Sequence, residues 1–219
     1  MPFIVPEKHG FVENFSPACM RAILCGMTIR EEKASLRRVM RERLLSFGVD
    51  ERQVGSEALA ANVAASDAYR TCTAVLAFVS LPSEPDLRLL LDRAITEGKR
   101  VGLPVCRSDG TLRFHEVGPA WQEHMMKNRW GIAEPDPVSC PPVQLDGQGS
   151  SLVLVPGLAF SPRCGRLGRG KGFYDRFLAG KPAGMISIGV CFDFQIVADL
   201  PTEIHDVKLD AVITPSVRY

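Results

Sequence analysis

A basic, glycine-rich segment is the part of this sequence whose residue types point most directly to chemistry. Residues 163–176 carry five basic side chains and four glycines in fourteen positions, with Asp175 as the only acid. Glycines let the backbone approach an anion and direct N–H groups at it, and the basic side chains neutralise its charge. An apolar run at 151–156 predicts a strand before the segment, and residues 174–179 can begin a helix after it. This order predicts a phosphate site.

Two related motifs and one simpler interpretation compete with this prediction. Gly165, Gly170 and Lys171 satisfy most of the Walker A pattern, but Gly172 stands where that motif needs a Ser or Thr hydroxyl for Mg²⁺. The glycine spacing also fails the dinucleotide-binding fingerprint, because its final gap is too short and it lies far from the N-terminus. A flexible, solvated basic turn remains the alternative to a phosphate site.

The composition bounds the size of the protein and the class of its ligands. A chain of 219 residues, 46% of them hydrophobic, suits one domain with a substantial core. The net charge is only +1, so the basic segment is a local feature and not part of a general nucleic-acid binder. No apolar run approaches the ~18 residues that span a bilayer. We expect a small anionic ligand, no nucleic-acid or membrane partner, and a monomer or weak homodimer.

The cysteines indicate a reducing compartment. Seven cysteines are scattered without a Cys-x-x-Cys pair, which predicts neither a zinc site nor a complete disulfide framework. We therefore expect reduced thiols and a cytoplasmic protein. Cys164 is the exception, because its neighbours Arg163 and Arg166 would lower its pKa and make it reactive. A nucleophilic role is disfavoured, since no histidine lies near Cys164 in the sequence.

The elements that must position the basic segment begin with a predicted helix at about 29–47. Thr28 and Glu31 form a capping box at its start. An apolar stripe follows at four-residue spacing and consists of Leu36, Met40 and Leu44. The other ridge is basic and consists of Lys33, Arg37 and Arg41. A solvated charged face is the favoured interpretation of that ridge, and a ligand contact is the alternative.

The rest of the chain alternates between predicted strands and helices. A second helix is predicted at about 54–65, and a third is predicted to be capped by Ser83 and Asp86. Further strands are predicted at 74–79, 100–106, 111–117, 184–191 and 208–214. The strand, helix, strand order between 74 and 106 predicts a parallel pair. We expect an α/β fold with a single three-layer domain at 28–219, a mostly parallel sheet and helices on both faces. Residues 1–27 are expected to form an N-terminal tail.

Several separated segments resemble the 5-formyltetrahydrofolate cyclo-ligase family, also known as 5,10-methenyltetrahydrofolate synthetases. The most specific are VPGLAF at 155–160 and RLGRGKGFYDR at 166–176. Other segments resemble the family's helix, substrate-loop, mid-chain and C-terminal signatures, and they lie at 33–37, 78–84, 130–135 and 205–210. Together these segments cover about residues 28–215.

The resemblance implies ATP-dependent cyclisation of 5-formyltetrahydrofolate to 5,10-methenyltetrahydrofolate, with release of ADP and phosphate. Phosphoryl transfer of this kind needs positioning and charge neutralisation more than it needs a protein nucleophile. The catalytic residues implied are Arg166 and Lys171, which would stabilise charge in the transition state. The implied ATP contacts are Lys33, Arg37, Arg166, Leu167, Gly168, Arg169, Gly170, Lys171, Gly172, Phe173 and Tyr174.

A magnesium ion is also implied by the resemblance. Asp175 and Asp206 would hold Mg²⁺, which prefers carboxylates, phosphate oxygens and retained waters. Considered without the family, Asp175 is equally a partner of a helix N-terminal dipole and Asp206 a turn residue.

The resemblance further implies that the reduced folate substrate contacts Val79, Glu84, Trp130, Arg169 and Phe173. In that arrangement Glu84 bonds the donor groups of the pterin, and the two aromatic side chains pack against its flat rings. Arg169 would bridge folate and nucleotide. Considered alone, Trp130 is equally a core anchor and Glu84 a first-turn helix acid.

One position departs from the family pattern. Ser161 follows Phe160 where the family commonly has Asp. If that Asp supports the loop or the metal, Ser161 weakens the resemblance at this point. The alternative function is therefore a non-catalytic nucleotide-binding or folate-binding regulatory paralogue. A single-stranded RNA binder is disfavoured, because that function usually needs a longer basic track with several stacking aromatics.

Overall fold

The computed structural model describes residues 27–145 and 150–219, so the predicted N-terminal tail lies outside the described residues except for Met27. The helices are α1 (Ile29–Ser46), α2 (Val49–Ala64), α3 (Asp67–Thr71), α4 (Arg88–Thr96) and α5 (Phe173–Ala179). The strands are β1 (Ala74–Leu76), β2 (Arg100–Cys106), β3 (Leu112–Val117), β4 (Met125–Lys127), β5 (Ala133–Pro135), β6 (Ser151–Val155), β7 (Ala159–Phe160), β8 (Arg166–Leu167), β9 (Met185–Val190) and β10 (Ala211–Ile213). Single 3₁₀ turns are formed by Trp121–His124 and Asp193–Gln195.

A six-stranded sheet in the order β10-β9-β6-β1-β2-β3 forms the centre of the described part of the chain. The pairs are parallel except that β3 runs antiparallel to β2. Ala74 of β1 lies opposite Arg100 of β2, so the predicted parallel pair is confirmed. The apolar strand β6 is buried along its whole length between β1 and β9, as expected for a strand covered on both faces. The prediction of a mostly parallel α/β sheet is confirmed.

Helices cover this sheet on both faces. Successive strand residues point to opposite faces, and accordingly the neighbours Leu152 and Val153 of β6 belong to different core clusters. Leu152 lies in the cluster that contains Leu59 of α2 and Leu90 of α4. Val153 lies in the cluster that contains Leu178 of α5. This arrangement confirms the predicted three layers.

A third cluster attaches α1 to the small antiparallel pair of β7 and β8. Met40 and Leu44 of α1 are each 1% exposed and pack in one cluster with Leu167 of β8 and Phe192. The capping box at Thr28 is present, so α1 begins where the sequence predicts. Because α1 packs on β8, its basic ridge lies beside the glycine-rich segment.

The basic segment is only partly a loop. Its residues Arg166 and Leu167 form β8, in which Leu167 pairs with Ala159 of β7, so the glycine loop proper is residues 168–172. Gly170 and Gly172 have φ values of 99° and 70°, a left-handed conformation that favours glycine because any Cβ would be crowded. The loop ends at α5, which begins at Phe173.

Two predicted helix starts are wrong. α4 begins at Arg88 and not behind Ser83, because the Glu84 N–H donates to the Leu81 carbonyl and closes a turn before the helix. Asp86 accepts the backbone N–H of Arg88 at the true start. α2 begins at Val49 and not at about residue 54. Gly48 is its N-cap residue, and the Glu51 side chain accepts the Gly48 N–H at this start. Among residues 27–145 and 150–219, no helix has both the length and the apolar composition needed to cross a bilayer.

We predict that Met40→Ala lowers the free energy of unfolding by about 2–5 kcal/mol, because it leaves a cavity between α1 and β8. Leu45→Ala is the matched control on the same helix, since Leu45 is 76% exposed and its loss should change stability by less than about 0.5 kcal/mol. Urea unfolding followed by circular dichroism measures both changes. Equal midpoints for the two variants would contradict the packing described for α1.

Candidate active site

A cavity of about 330 Å³ lies between the glycine loop, the segment that follows β1 and the turn between β4 and β5. All the residues predicted to contact folate line it, and these are Val79, Glu84, Trp130, Arg169 and Phe173. Arg166, Gly168, Gly170, Lys171, Gly172, Tyr174 and Asp175 line it as well. Lys33, Arg37, Leu167 and Asp206 do not belong to its walls. The structure thus brings the predicted folate contacts and most of the predicted ATP contacts into one space.

An ion pair between Glu84 and Arg169 connects two walls of the cavity. One oxygen of Glu84 accepts from Arg169 Nε at 3.1 Å and from Nη2 at 2.7 Å. The other oxygen accepts the backbone N–H of Leu81 at 3.0 Å. The Glu84 side chain is only 7% exposed, so this carboxylate is held in place and is not a solvated first-turn acid. A carboxylate offers about four acceptor positions, so one remains for a ligand.

Aromatic side chains form the outer wall. The ring centroids of Trp130 and Phe173 lie 6.2 Å apart in an edge-to-face arrangement. Trp130 is 44% exposed, so the alternative that it anchors the core is wrong. The Arg129 guanidinium stacks over its indole with the central carbon 4.2 Å from the ring centroid. An aromatic surface that is open on one side can accept a flat ring.

Glu134 supports this wall and was missed as a functional residue. It is buried, and one of its oxygens accepts the Cys106 N–H at 3.0 Å and the Asn128 side-chain amide at 2.8 Å. Asn128 in turn accepts the Trp130 N–H at 2.9 Å. Burial, with Glu134 beside it, raises the pKa of the Cys106 thiol to about 12. The signal that the sequence offered was an acidic residue inside the 130–135 segment. The structure buries that residue, and acidic side chains are rarely buried unless they are paired.

Arg166 lies beneath the glycine loop as a fixed cation. Its Nη2 donates to Asp175 Oδ1 at 2.6 Å and its Nη1 to the Pro156 carbonyl at 3.2 Å, and the side chain is 4% exposed. A Cβ at Gly168 would lie 2.7 Å from Arg166 Nη1. Because the guanidinium is held by its partners, only glycine fits at 168 without displacing it.

The basic ridge of α1 faces the glycine loop, so its interpretation as a solvated charged face is wrong. Arg37 Nε donates to the Gly168 carbonyl at 3.0 Å, and Arg41 Nη2 to the Arg169 carbonyl at 3.4 Å. The packing of α1 on β8 leaves Lys33 buried and Arg37 half-buried, while Arg41 stays exposed at the edge of the loop. Arg37 is therefore placed to hold the loop backbone, and its predicted contact with ATP stays a prediction.

Lys171 is an exposed cation of the loop. Its carbonyl accepts from Arg176, whereas its ammonium has no ion-pair partner among the described residues. An unpaired ammonium at the edge of a cavity can bind an anion without breaking an existing interaction.

The remaining predicted nucleotide and metal contacts lie beside the cavity. The Lys33 ammonium, almost fully buried, donates to Glu203 at 2.7 Å and to Asp206 at 2.6 Å. Burial by itself would raise the pKa of Asp206, but the hydrogen bonds from Lys33 and from the Glu203 N–H, together with the charge of Lys33, hold that pKa below its ordinary value. The pKa of Glu203 is lowered by the same ammonium. Burial alone would lower the pKa of Lys33, yet these bonds raise it.

Candidate metal-ligand atoms meet in this acidic group. Glu203, His205 and Asp206 each place one such atom within 4.8 Å of the others. Asp175 is not a member of the group and instead pairs with Arg166. The two predicted magnesium ligands are thus each held by a cation, and their joint role stays a prediction.

Ser161, where the resemblance departs from the family pattern, supports the basic segment. It is buried, and its hydroxyl accepts the backbone N–H of Gly165 at 3.1 Å. Its own backbone N–H donates to the Gly165 carbonyl at 3.0 Å. A serine oxygen therefore supplies the loop support for which an aspartate was expected.

The expected reactivity of Cys164 is contradicted. Burial and the nearby Asp210 raise the pKa of the Cys164 thiol. Arg166, its expected activator, directs its guanidinium to Asp175 and Pro156. Cys164 lies in the bend before β8 with a φ of 60°, so proximity in the sequence did not bring this cation to the thiol.

Comparisons with known proteins agree on one family. The family model described as "5-formyltetrahydrofolate cyclo-ligase family" matches residues 29–215. The chain is 33% identical over 159 residues to a probable 5-formyltetrahydrofolate cyclo-ligase of Schizosaccharomyces pombe, covering 67% of this chain and 77% of the relative. It is 36% identical over 146 residues to the 5-formyltetrahydrofolate cyclo-ligase of Mycolicibacterium smegmatis, covering 64% and 73%. The solved 5,10-methenyltetrahydrofolate synthetase of Aquifex aeolicus superposes with a TM-score of 0.72 at 27% identity, covering 85% of this chain and 91% of that one.

We predict that Ser161→Ala lowers the free energy of unfolding by about 1–3 kcal/mol, because it leaves the buried N–H of Gly165 without its acceptor. Ser46→Ala is the control, since the exposed Ser46 hydroxyl donates only to a carbonyl near the end of α1. Its effect should stay within about 0.5 kcal/mol. Urea denaturation compares the variants, and an unchanged midpoint for Ser161→Ala would show that the hydroxyl does not support the segment.

Proposed function

The chain belongs to the 5-formyltetrahydrofolate cyclo-ligase family, and from this premise we propose that it catalyses the ATP- and Mg²⁺-dependent cyclisation of 5-formyltetrahydrofolate to 5,10-methenyltetrahydrofolate, releasing ADP and phosphate. One observation carries the proposal: a wall suited to a flat ring and a cationic glycine loop line the same cavity. The ion pair of Glu84 with Arg169 joins the glycine loop to the segment after β1, which lines the same cavity. A substrate with a pterin ring and a nucleotide with a phosphate chain can therefore meet there.

The chemistry explains why both ligands must share the cavity. The oxygen of an N-formyl group is a poor leaving group, so the γ-phosphoryl group of ATP is first transferred to that oxygen. N10 of the folate then attacks the formyl carbon and loses its proton, and the oxygen departs as phosphate. Such a transfer requires in-line positioning and neutralisation of charge on the phosphoryl oxygens.

Residues of the glycine loop are suited to the phosphate chain. Lys171 has an unpaired ammonium at the cavity edge, and Arg166 is a fixed cation below the loop. Donors that are held in place before the reaction stabilise developing charge without reorganising. Arg37 keeps the loop backbone in position through the Gly168 carbonyl. Lys33 would reach the phosphates only by giving up a bond to Glu203 or Asp206.

The predicted metal ligands fit Mg²⁺ in donor type. Asp175 gives one oxygen to Arg166 and Asp206 gives one to Lys33. Within the described residues the second oxygen of each carboxylate accepts no hydrogen bond, so it is open to a hard cation. Bound Mg²⁺ would neutralise phosphate charge and restrict the geometry of the phosphate chain.

The folate would lie in the cavity against the wall formed by Val79, Trp130 and Phe173. Glu84 keeps one acceptor position after its bonds to Arg169 and Leu81, and that position suits an N–H donor of the pterin. The aromatic pair is open on the cavity side and would cover the rings. A cytoplasmic location and a monomeric or weakly dimeric state remain predictions of the sequence.

One observation counts against the regulatory alternative. It rested on Ser161 as a weakened position of the basic segment, but the Ser161 hydroxyl accepts the Gly165 N–H and holds that segment. Turnover is therefore the function we propose.

We predict that the purified chain with 5-formyltetrahydrofolate and Mg-ATP shows an ATP-dependent rise in the near-ultraviolet absorbance of the methenyl product. Lys171→Ala should lower kcat by a factor of about 10²–10³, because it removes a cation from the developing phosphoryl charge. Arg38→Ala is the charge-matched control, since that side chain is 68% exposed on α1 and pairs with Glu42. It should leave turnover unchanged.

Two results would count against these assignments. Full activity of Lys171→Ala would mean that the phosphate loop is assigned wrongly, even if the reaction is right. A flat absorbance trace from the wild-type chain together with tight ATP binding would favour the regulatory alternative.

A further inference from the structure

The hydroxyl of Tyr174 is shielded from solvent and has no hydrogen-bond partner among the described residues. Tyr174 is the second residue of α5 and lines the cavity. Buried hydroxyl groups are normally paired, and an unpaired one destabilises the free protein. An orphaned donor in the wall of a cavity therefore points to a partner supplied by a ligand.

The surroundings of Tyr174 show which part of the cavity wall it belongs to. The groups that act on it electrostatically include Glu84, Arg166 and Cys106. Arg166 lies beneath the glycine loop, and Glu84 is the carboxylate of the folate wall. Tyr174 therefore stands where the folate and nucleotide parts of the cavity meet.

The hydroxyl acts as a donor and not as a base. A phenol ordinarily keeps its proton at neutral pH, so the unpaired hydroxyl offers an O–H donor. The described hydrogen bonds of Glu84 come from Arg169 and Leu81, and none joins it to the Tyr174 hydroxyl. The unpaired O–H donor would be satisfied by an acceptor on a ligand.

We propose that the Tyr174 hydroxyl donates a hydrogen bond to the formyl oxygen of the bound reduced folate and so positions that oxygen toward the glycine loop. This inference rests on the proposed function, in which the formyl oxygen must lie between the folate wall and the phosphate chain. A carbonyl-type oxygen has two lone pairs. One accepts from Tyr174, and the other stays available to receive the phosphoryl group. No proton is transferred in this contact.

The test compares Tyr174→Phe with Tyr69→Phe. Tyr69 is a matched control, because it is 1% exposed and its hydroxyl donates to Glu97 at 3.0 Å within the fold. Dissociation constants are measured without nucleotide for 5-formyltetrahydrofolate and for 5-methyltetrahydrofolate, which lacks the formyl oxygen. Tyr174→Phe should weaken binding of the formyl compound about threefold to tenfold and leave binding of the methyl compound unchanged. Tyr69→Phe should change neither constant.

The thermal midpoint of the unliganded protein supplies a second readout. Tyr174→Phe removes a group without a partner, so the midpoint should stay the same or rise. Tyr69→Phe breaks an existing hydrogen bond, so its midpoint should fall. A role of Tyr174 confined to structure would instead lower the midpoint and spare the discrimination between the two folates.

Three results would overturn the inference while leaving the proposed function intact. These are wild-type affinity of Tyr174→Phe for 5-formyltetrahydrofolate, an equal loss of affinity for both folates, and a fall of its midpoint like that of Tyr69→Phe. If the wild-type chain itself fails to bind 5-formyltetrahydrofolate, the proposed function fails and this inference fails with it.

Discussion

The ion pair of Glu84 with Arg169 is the interaction on which the geometry of the site depends. Removing a carboxylate from water is costly unless donors of good geometry replace the lost hydration. Arg169 supplies two such donors and the Leu81 backbone a third. Because the cost and the gain nearly cancel, the pair contributes little to stability. Its consequence is geometric, since it joins the glycine loop to the segment that follows β1 where both line the cavity.

The other cations of the site are also held by the protein itself. Arg166 is fixed by Asp175, Arg37 by the Gly168 carbonyl, and Lys33 by two carboxylates. Such preorganisation is suited to phosphoryl transfer, because the charges need not be gathered at the moment of reaction. The unpaired hydroxyl of Tyr174 is a cost in stability at the same site. The apolar packing of α1 on β8 supplies the rigid support for this arrangement.

Predictions from the sequence were right for elements that depend on a local pattern of residues. They were wrong for charged residues and turns that had more than one available partner. The capping box at Thr28 and the apolar β6 were predictable because helix caps and buried strands need particular residues at fixed positions. The cap at Ser83 was wrong, because the same residues close a turn that brings Glu84 to the cavity. The basic ridge of α1 was misinterpreted as solvated, since a pattern of charges does not reveal what packs against it. Cys164 was misjudged for the same reason.

Residue types and their spacing by themselves determined the α/β class, the capped first helix and the place of the glycine loop. These features follow from backbone propensity, periodicity and the freedom of glycine, all of which act over a few residues. Only the tertiary structure decided which charges meet. Lys33 and Glu203 are 170 positions apart in the chain and 2.7 Å apart in space. Their meeting follows from the burial of apolar faces on α1 and the sheet, and the partner of a charge is settled by that packing and not by its neighbours in sequence.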